Sequence, residues 1–217
     1  MQSKSNDVSG WVEDLMRMLH MLEGDDVHSI YNLNAIASRT AELYMDFSRV
    51  YRAKSKRVIA YTALYVALRL EGHAITVNAF ARRVGIDARS LAVCYRAMQR
   101  VLGLTIPKVA LHAYINEIVR CIGKGIQDRY KGVDATVLKD AAYRLADDVD
   151  RMMNGKGVNP AGVAAAIVYL ALGDGVRRMV SMKYLAATAG ISMVTLKKRV
   201  EELRVLLNRH VNAITHT

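Results

Sequence analysis

The chain has 217 residues, 31 Lys and Arg against 20 Asp and Glu for a net charge of +11, and only two Pro, two Phe and two Cys. That length suits two domains of roughly a hundred residues, and abundant Ala, Leu, Val, Met and Arg with only two Pro and two Phe predict an all-α fold. The charge points to an anionic partner such as nucleic acid. Cys94 and Cys121, far apart and without clustered His, speak against a zinc site or disulfide framework and for two buried thiols of a reducing compartment. The polar start Met1–Asn6 and the lack of an apolar run of about eighteen residues speak for an intracellular, soluble protein with no membrane association.

Residues 1–9 form a polar start, expected to be disordered. Trp11, Leu15, Met18, Leu19 and Leu22 recur at helical spacing and predict a first helix ending near Gly24. A second, amphipathic helix spans about Ile30 to Tyr51, and a basic loop, Arg52 to Arg57, follows it. Val58 to Leu70 is apolar nearly all round, as in a helix enclosed by others. Thr76 is placed to cap a short helix to Val84, Gly85 to turn the chain, and Asp87 to cap a helix to about Leu102.

Pro107 cannot continue that helix, so residues 105–108 read as a linker between a first domain, 10–104, and a second, 109–209. In the second domain Leu111, Ile115, Ile118, Val119 and Ile122 form one helical stripe. Leu138, Ala141, Leu145, Val149 and Met152 form the next, capped by Asp134 and ended by Gly155 and Gly157. An all-apolar helix from Ala161 to Leu172 takes the enclosed position. A short helix from Ser181, a turn at Gly190, a helix from Ser192 to about Arg209 and a tail, 210–217, complete the chain.

The halves superpose by hand. A shift of 104 places Ala60 on Ala164, Tyr65 on Tyr169, Ala67 on Ala171 and Leu68 on Leu172, and a shift of 105 places Thr76 on Ser181, Ala81 on Ala186, Gly85 on Gly190, Ile86 on Ile191 and Leu91 on Leu196. This predicts a tandem duplication of a five-helix unit. The last two helices of each unit have helix-turn-helix spacing: a small residue (Ala81, Ala186) where the helices cross, Gly four residues on for the left-handed turn, then an apolar residue.

Residues 177–209 hold eight basic and two acidic side chains, +6 of the +11 excess. With Leu196, Val200, Leu203 and Leu207 buried, the 100° helical step places Val194, Lys198 and Glu201 opposite and Thr195 and Lys197 on the flanks. The candidate DNA-reading set is therefore Ser192, Val194, Thr195, Lys197, Lys198 and Arg199, on the first turns where a recognition helix meets base edges. A solvated charged face is the plainer alternative. Asp147, Asp148 and Asp150 lie on the polar side of an amphipathic helix, and no phosphate loop or nucleophile motif occurs. No enzyme, catalytic residue, metal or cofactor is expected.

Two motifs carry a resemblance. Gly157-x-x-Pro160-x-Gly162-Val163-Ala164-Ala165-Ala166-x-x-Tyr169-Leu170-Ala171 and Gly190-Ile191-Ser192-x-Val194-Thr195-Leu196-Lys197 are similar to the second-repeat signature and helix-turn-helix of archaeal transcription factor B and eukaryotic transcription factor IIB, over roughly residues 10 to 208. The resemblance implies two tandem five-helix cyclin-like repeats, each ending in a helix-turn-helix-like pair. It further implies a transcription initiation factor that docks on TATA-binding protein and promoter DNA and helps place RNA polymerase. The family's base contacts fall on Val194 and Lys197. Lys197 stands where the family carries Arg, which removes a planar fork and softens selectivity for guanine. The first repeat matches less closely, and Arg82, Arg83 and Arg89 are its candidate partner contacts. The family's N-terminal zinc ribbon has no cysteines to form it here, so the chain reads as a core fragment or a ribbon-less regulatory relative. It would sit at the nucleoid in an archaeon or in the nucleus of a eukaryote. The alternative from another class is a cyclin-like protein-interaction module without specific DNA binding.

Overall fold

Runs of apolar residues at helical spacing, punctuated by Ser, Thr, Asp and Gly, leave the backbone little but helix to form. The computed structural model describes residues 29–52, 55–127, 134–153, 159–173, 177 and 180–215, and among these there are nine α-helices and no strand. In chain order they are α1 Ser29–Val50, α2 Lys56–Leu70, α3 Val77–Val84, α4 Ala88–Val101, α5 Leu111–Gln127, α6 Ala135–Met153, α7 Pro160–Ala171, α8 Met182–Ala189 and α9 Met193–Thr215. The all-α prediction holds. The helix expected over Trp11–Leu22 and the stop at Gly155 and Gly157 lie outside the described residues.

The helix starts follow from short polar side chains that accept orphan N–H groups, each worth about 1 kcal/mol. Thr76 Oγ1 accepts from Ala79 N (3.2 Å), Asp87 from Ser90 N (2.7 Å) and Asp134 from Thr136 N (2.8 Å), the three caps read from the sequence. Ser55, Asn159, Ser181 and Ser192 do the same for α2, α7, α8 and α9. Because Ser55 caps it, α2 starts at Lys56, inside the stretch expected to be loop. Pro160 occupies the first turn of α7, where a missing N–H costs nothing.

The chain divides into two compact units, the first comprising residues up to His73 with Ala81–Pro107, the second Ala74–Phe80 with Lys108–Thr217. In the first, α2 packs against α1 and α4 and buries Ile59 and the whole run Thr62–Leu68. The buried hydroxyls of Thr40 and Thr62 donate to the carbonyls of Ile36 (2.6 Å) and Val58 (2.7 Å), so no polar atom of either is left wanting. Of the two thiols expected to be buried, Cys94 is and Cys121 is only half-buried; desolvation pushes the Cys94 thiol pKa up, although a hydrogen bond with Thr62 lowers it.

In the second unit α7 is the enclosed helix. Ala161 through Val168 are all buried, and α5, α6, α8 and α9 pack against it. Its Ala and Gly side chains permit this, since interaxial distance is set by the side chains at the contact. Around it lie Ile115, Ile118, Val119 and Ile122 of α5, Leu185, Ala186 and Ala189 of α8, and Leu196, Val200 and Leu203 of α9. The register of α6 differs from expectation. Leu138, Ala142, Ala146 and Val149 are buried, whereas Ala141 is exposed and Leu145 and Met152 are half-buried. Small Ala142 and Ala146 let α6 approach α7 closely, a preference that choosing the larger hydrophobe in each turn misses. Helix α9 continues past Arg209 to Thr215, where a tail was expected, because no Gly or Pro intervenes to stop it.

Candidate nucleic-acid interface

The corner between α8 and α9 is built from its glycine outward. Ser181 starts α8 by accepting from Tyr184 N at 3.1 Å, and Gly190 ends it with φ +68° and ψ 31°. The Gly190 N–H reaches the Ala187 carbonyl (3.1 Å) and the Ile191 N–H the Ala186 carbonyl (3.0 Å), the paired bonds of a Schellman turn. Space enforces glycine as well as torsion. A Cβ there would lie 1.9 Å from Thr76 Oγ1 and 2.7 Å from Ala79 N, within the same unit. Thr76 Oγ1 donates to the Ala189 carbonyl (3.2 Å) and Asn78 Nδ2 to that of Gly190 (3.1 Å), holding the corner in place.

Ser192 then starts α9. Its Oγ accepts from Thr195 N at 3.0 Å and shares a hydrogen bond with Thr195 Oγ1 at 2.7 Å. Both hydroxyls proposed for DNA reading are thus engaged in capping. Val194 is 74% exposed, and Lys197 and Lys198 are exposed beside it. The expected inward stripe is confirmed at Leu196, Val200 and Leu203, all buried; Leu207 is only half-buried.

The basic residues of this region divide by their partners. Arg199 is only 27% exposed and pairs with Glu202, and its Cγ lies 3.7 Å from the position a Cβ would take on Gly162 of α7. Lys198 Nζ is 4.0 Å from the same Glu202, and Arg204 is 3.9 Å from Glu201. Arg177 closes the end of α7: its guanidinium donates to the carbonyls of Tyr169 (3.2 Å) and Leu170 (2.8 Å) and lies over the Tyr169 ring. Among the described residues no carboxylate lies within ion-pair distance of Lys197. The outward face of the first two turns therefore consists of Val194, Lys197 and Lys198. Met193, which the motif leaves open, adds a second apolar side chain at 43% exposure.

The α3–α4 corner of the first unit repeats the turn chemistry. Gly85 has φ +65°, Ile86 N donates to Ala81 O (3.0 Å) and Gly85 N to Arg82 O (3.4 Å). Arg82, Arg83 and Arg89 are all exposed around it. Of Asp147, Asp148 and Asp150 on α6, the first two are engaged elsewhere: Asp147 pairs with His112 (3.1 Å) and Asp148 with Arg151 (2.6 Å). Among the described residues no group of three or more His, Cys, Asp or Glu could hold a metal, and no helix is long and apolar enough to cross a membrane.

Among the described residues the secondary structure is all helix, and the corners after α3 and after α8 each turn on a left-handed glycine. No protein-family model matches the chain. Among curated proteins it is similar to transcription initiation factor IIB of several archaea. Identity is 33% over 162 residues with the protein of Pyrodictium occultum (72% of this chain, 47% of that one). It is 29% over 153 residues with that of Saccharolobus shibatae (70% and 46%) and 30% over 155 residues with that of Archaeoglobus fulgidus (70% and 43%). The chain spans about half the length of the curated relatives it matches. These similarities support a core of the transcription factor IIB kind.

Proposed function

We propose that this chain is a transcription initiation factor of the IIB kind, built from two cyclin-like repeats. It docks on TATA-binding protein with promoter DNA and reads the DNA upstream through α9. The observation that carries the reading is the exposure of Val194 between Met193 and the lysines 197 and 198, at the start of a helix fixed by Gly190 and Ser192. A methyl-bearing side chain flanked by cations on the first turns suits thymine methyls, guanine acceptors and phosphates. Lys197 and Val194 are assigned to base edges and Lys198 to a phosphate. Ser192 and Thr195 shape the helix start, and Arg199 steadies the helix against α7. Arg82 and Arg83 are assigned to the protein partner.

The test is a gel shift on TATA-containing DNA with and without TATA-binding protein, followed by recovery of RNA polymerase from the complex. Val194→Ala is expected to change sequence preference at constant salt dependence. Lys197→Ala should cost about 1–3 kcal/mol on the preferred site and relax its specificity. Lys198→Ala should flatten the slope of log affinity against log salt by about 0.9. A complex that forms without polymerase marks a regulator. Absence of any DNA complex with TATA-binding protein present would support the protein-interaction module instead.

A further inference from the structure

Counting charge along the sequence favours α9 as the nucleic-acid helix, but the ion pairs alter the comparison. Helix α9 carries Glu201 and Glu202 among its cations, and these carboxylates engage Lys198, Arg199 and Arg204. Helix α4, in the corresponding place of the other corner, contains three arginines and no acidic residue. Arg89, Val93, Arg96 and Arg100 follow one another at intervals of four, three and four residues, which puts them on one face of the helix. All four are exposed, Val93 at 48%. The inward side is just as clearly defined, with Leu91, Cys94 and Met98 buried. Asp87, the only acidic residue between Gly85 and Leu104, is held at the helix start by the Ser90 hydroxyl and backbone N–H, both at 2.7 Å. It also feels the charge of Arg89, which leaves Arg96 and Arg100 as the cations of this face farthest from it in sequence.

We infer that this arginine face of α4 is a second nucleic-acid contact, one that grips the backbone of duplex DNA without reading its sequence. From Arg89 to Arg100 the rise is about 16 Å, and a duplex strand presents a phosphate roughly every 3.4 Å along its axis, so three guanidiniums meet phosphates without bending the helix. Guanidinium forks match phosphate oxygens in pairs. A protein partner fits less well. The exposed apolar residues of α4 are two valines, Val93 and Val101, whereas protein interfaces centre on aromatic or large aliphatic anchors with charge at the rim. This inference moves Arg89 away from Arg82 and Arg83 and into a set of its own. It does not depend on α9 reading DNA.

The experiment uses the full chain, a labelled duplex lacking any promoter motif and no TATA-binding protein, with fluorescence anisotropy read across a salt titration. The combined variant Arg89→Ala, Arg96→Ala, Arg100→Ala is expected to flatten the log–log salt slope by about two to three. The same three positions changed to Lys should restore the slope, since charge is kept. Lys197→Ala with Lys198→Ala must leave the α4 contribution in place, so failure of the α9 reading and failure of this one are separable. Arg96→Glu alone, a single exposed change, repeats the test with minimal risk to folding. An unchanged slope in the charge-removed variants with native circular dichroism overturns the inference. So does loss of binding to a labelled polyglutamate peptide while duplex binding persists, which would assign the face to an acidic protein.

Discussion

The glycines at the two corners provide a controlled comparison. Gly85 and Gly190 have nearly the same backbone conformation, φ +65° and +68°, and the same pair of turn hydrogen bonds. Alanine at either must adopt the left-handed region, at about 1–2 kcal/mol. At Gly85 that is the whole cost, because nothing lies within 4 Å of the added Cβ. At Gly190 the new methyl would sit 1.9 Å from Thr76 Oγ1 and 2.7 Å from the Ala79 backbone nitrogen. Thr76 cannot simply swing away, since its hydroxyl both caps α3 and donates to the Ala189 carbonyl. Overpacking adds about 1–3 kcal/mol and loss of the cap about 1 more. Gly190→Ala should therefore cost about 2–4 kcal/mol more than Gly85→Ala. At roughly 2–4 °C per kcal/mol for a chain of this size, the difference is measurable in thermal melts of the two variants alongside urea titrations. Thr76→Ala in the Gly190→Ala background should recover part of the loss. Equal costs at the two glycines, or no recovery, would refute the crowded corner.

Three further outcomes follow from single contacts. Gly162→Ala should be neutral or stabilise by about 0.5 kcal/mol, because the nearest atom to the new Cβ is Arg199 Cγ at 3.7 Å and Ala is the better helix former; a urea midpoint that falls would contradict that spacing. Glu202→Gln releases Lys198 and Arg199, so affinity for non-specific duplex DNA should rise and its salt slope steepen by up to about one; an unchanged slope in anisotropy titrations would mean the carboxylate does not compete. Hydrogen bonds from the Ser90 hydroxyl, then the Ser90 N–H, hold the Asp87 carboxyl below its ordinary value of 3.8. Its contribution to stability is present above the unfolded pKa and lost as pH falls through the lower folded one. Asp87→Asn should thus flatten the acid end of a melting-temperature profile, and an unaltered profile would remove Asp87 from the acid response.

Most of the helical frame was legible in the sequence because helix ends are local events. Thr76, Asp87 and Asp134 cap within three residues of themselves, and Gly85 and Gly190 turn the chain by their own torsions. The register of α6 was not legible, since choosing between Leu145 and Ala146 needs the distance to α7, a tertiary quantity. The exposure of Val194 followed from helical periodicity alone, whereas the engagement of Arg199 and Arg177 did not. Arg177 bonds carbonyls seven and eight residues away in sequence, a contact no spacing rule supplies.

That difference decides how the charge should be weighed. The excess of +6 in residues 177–209 treats every cation as available to an anion, yet Arg177 closes a helix, Arg199 is tied to Glu202 and packed near α7, and Arg204 lies by Glu201. Phosphate binding requires a cation to give up its present partner, so a paired arginine contributes less than its formal charge. Helix α9 is left with an exposed valine beside Lys197 and a Lys198 that shares Glu202 with Arg199, a composition suited to selecting among sequences rather than to strong attraction. Helix α4 has attraction without an evident means of selection. If one corner supplies affinity and the other choice, removing the α4 arginines should weaken binding to all duplexes alike and preserve the ratio between them. Val194→Ala should change that ratio and leave the salt dependence where it was, and the two measurements on the same pair of duplexes separate the roles.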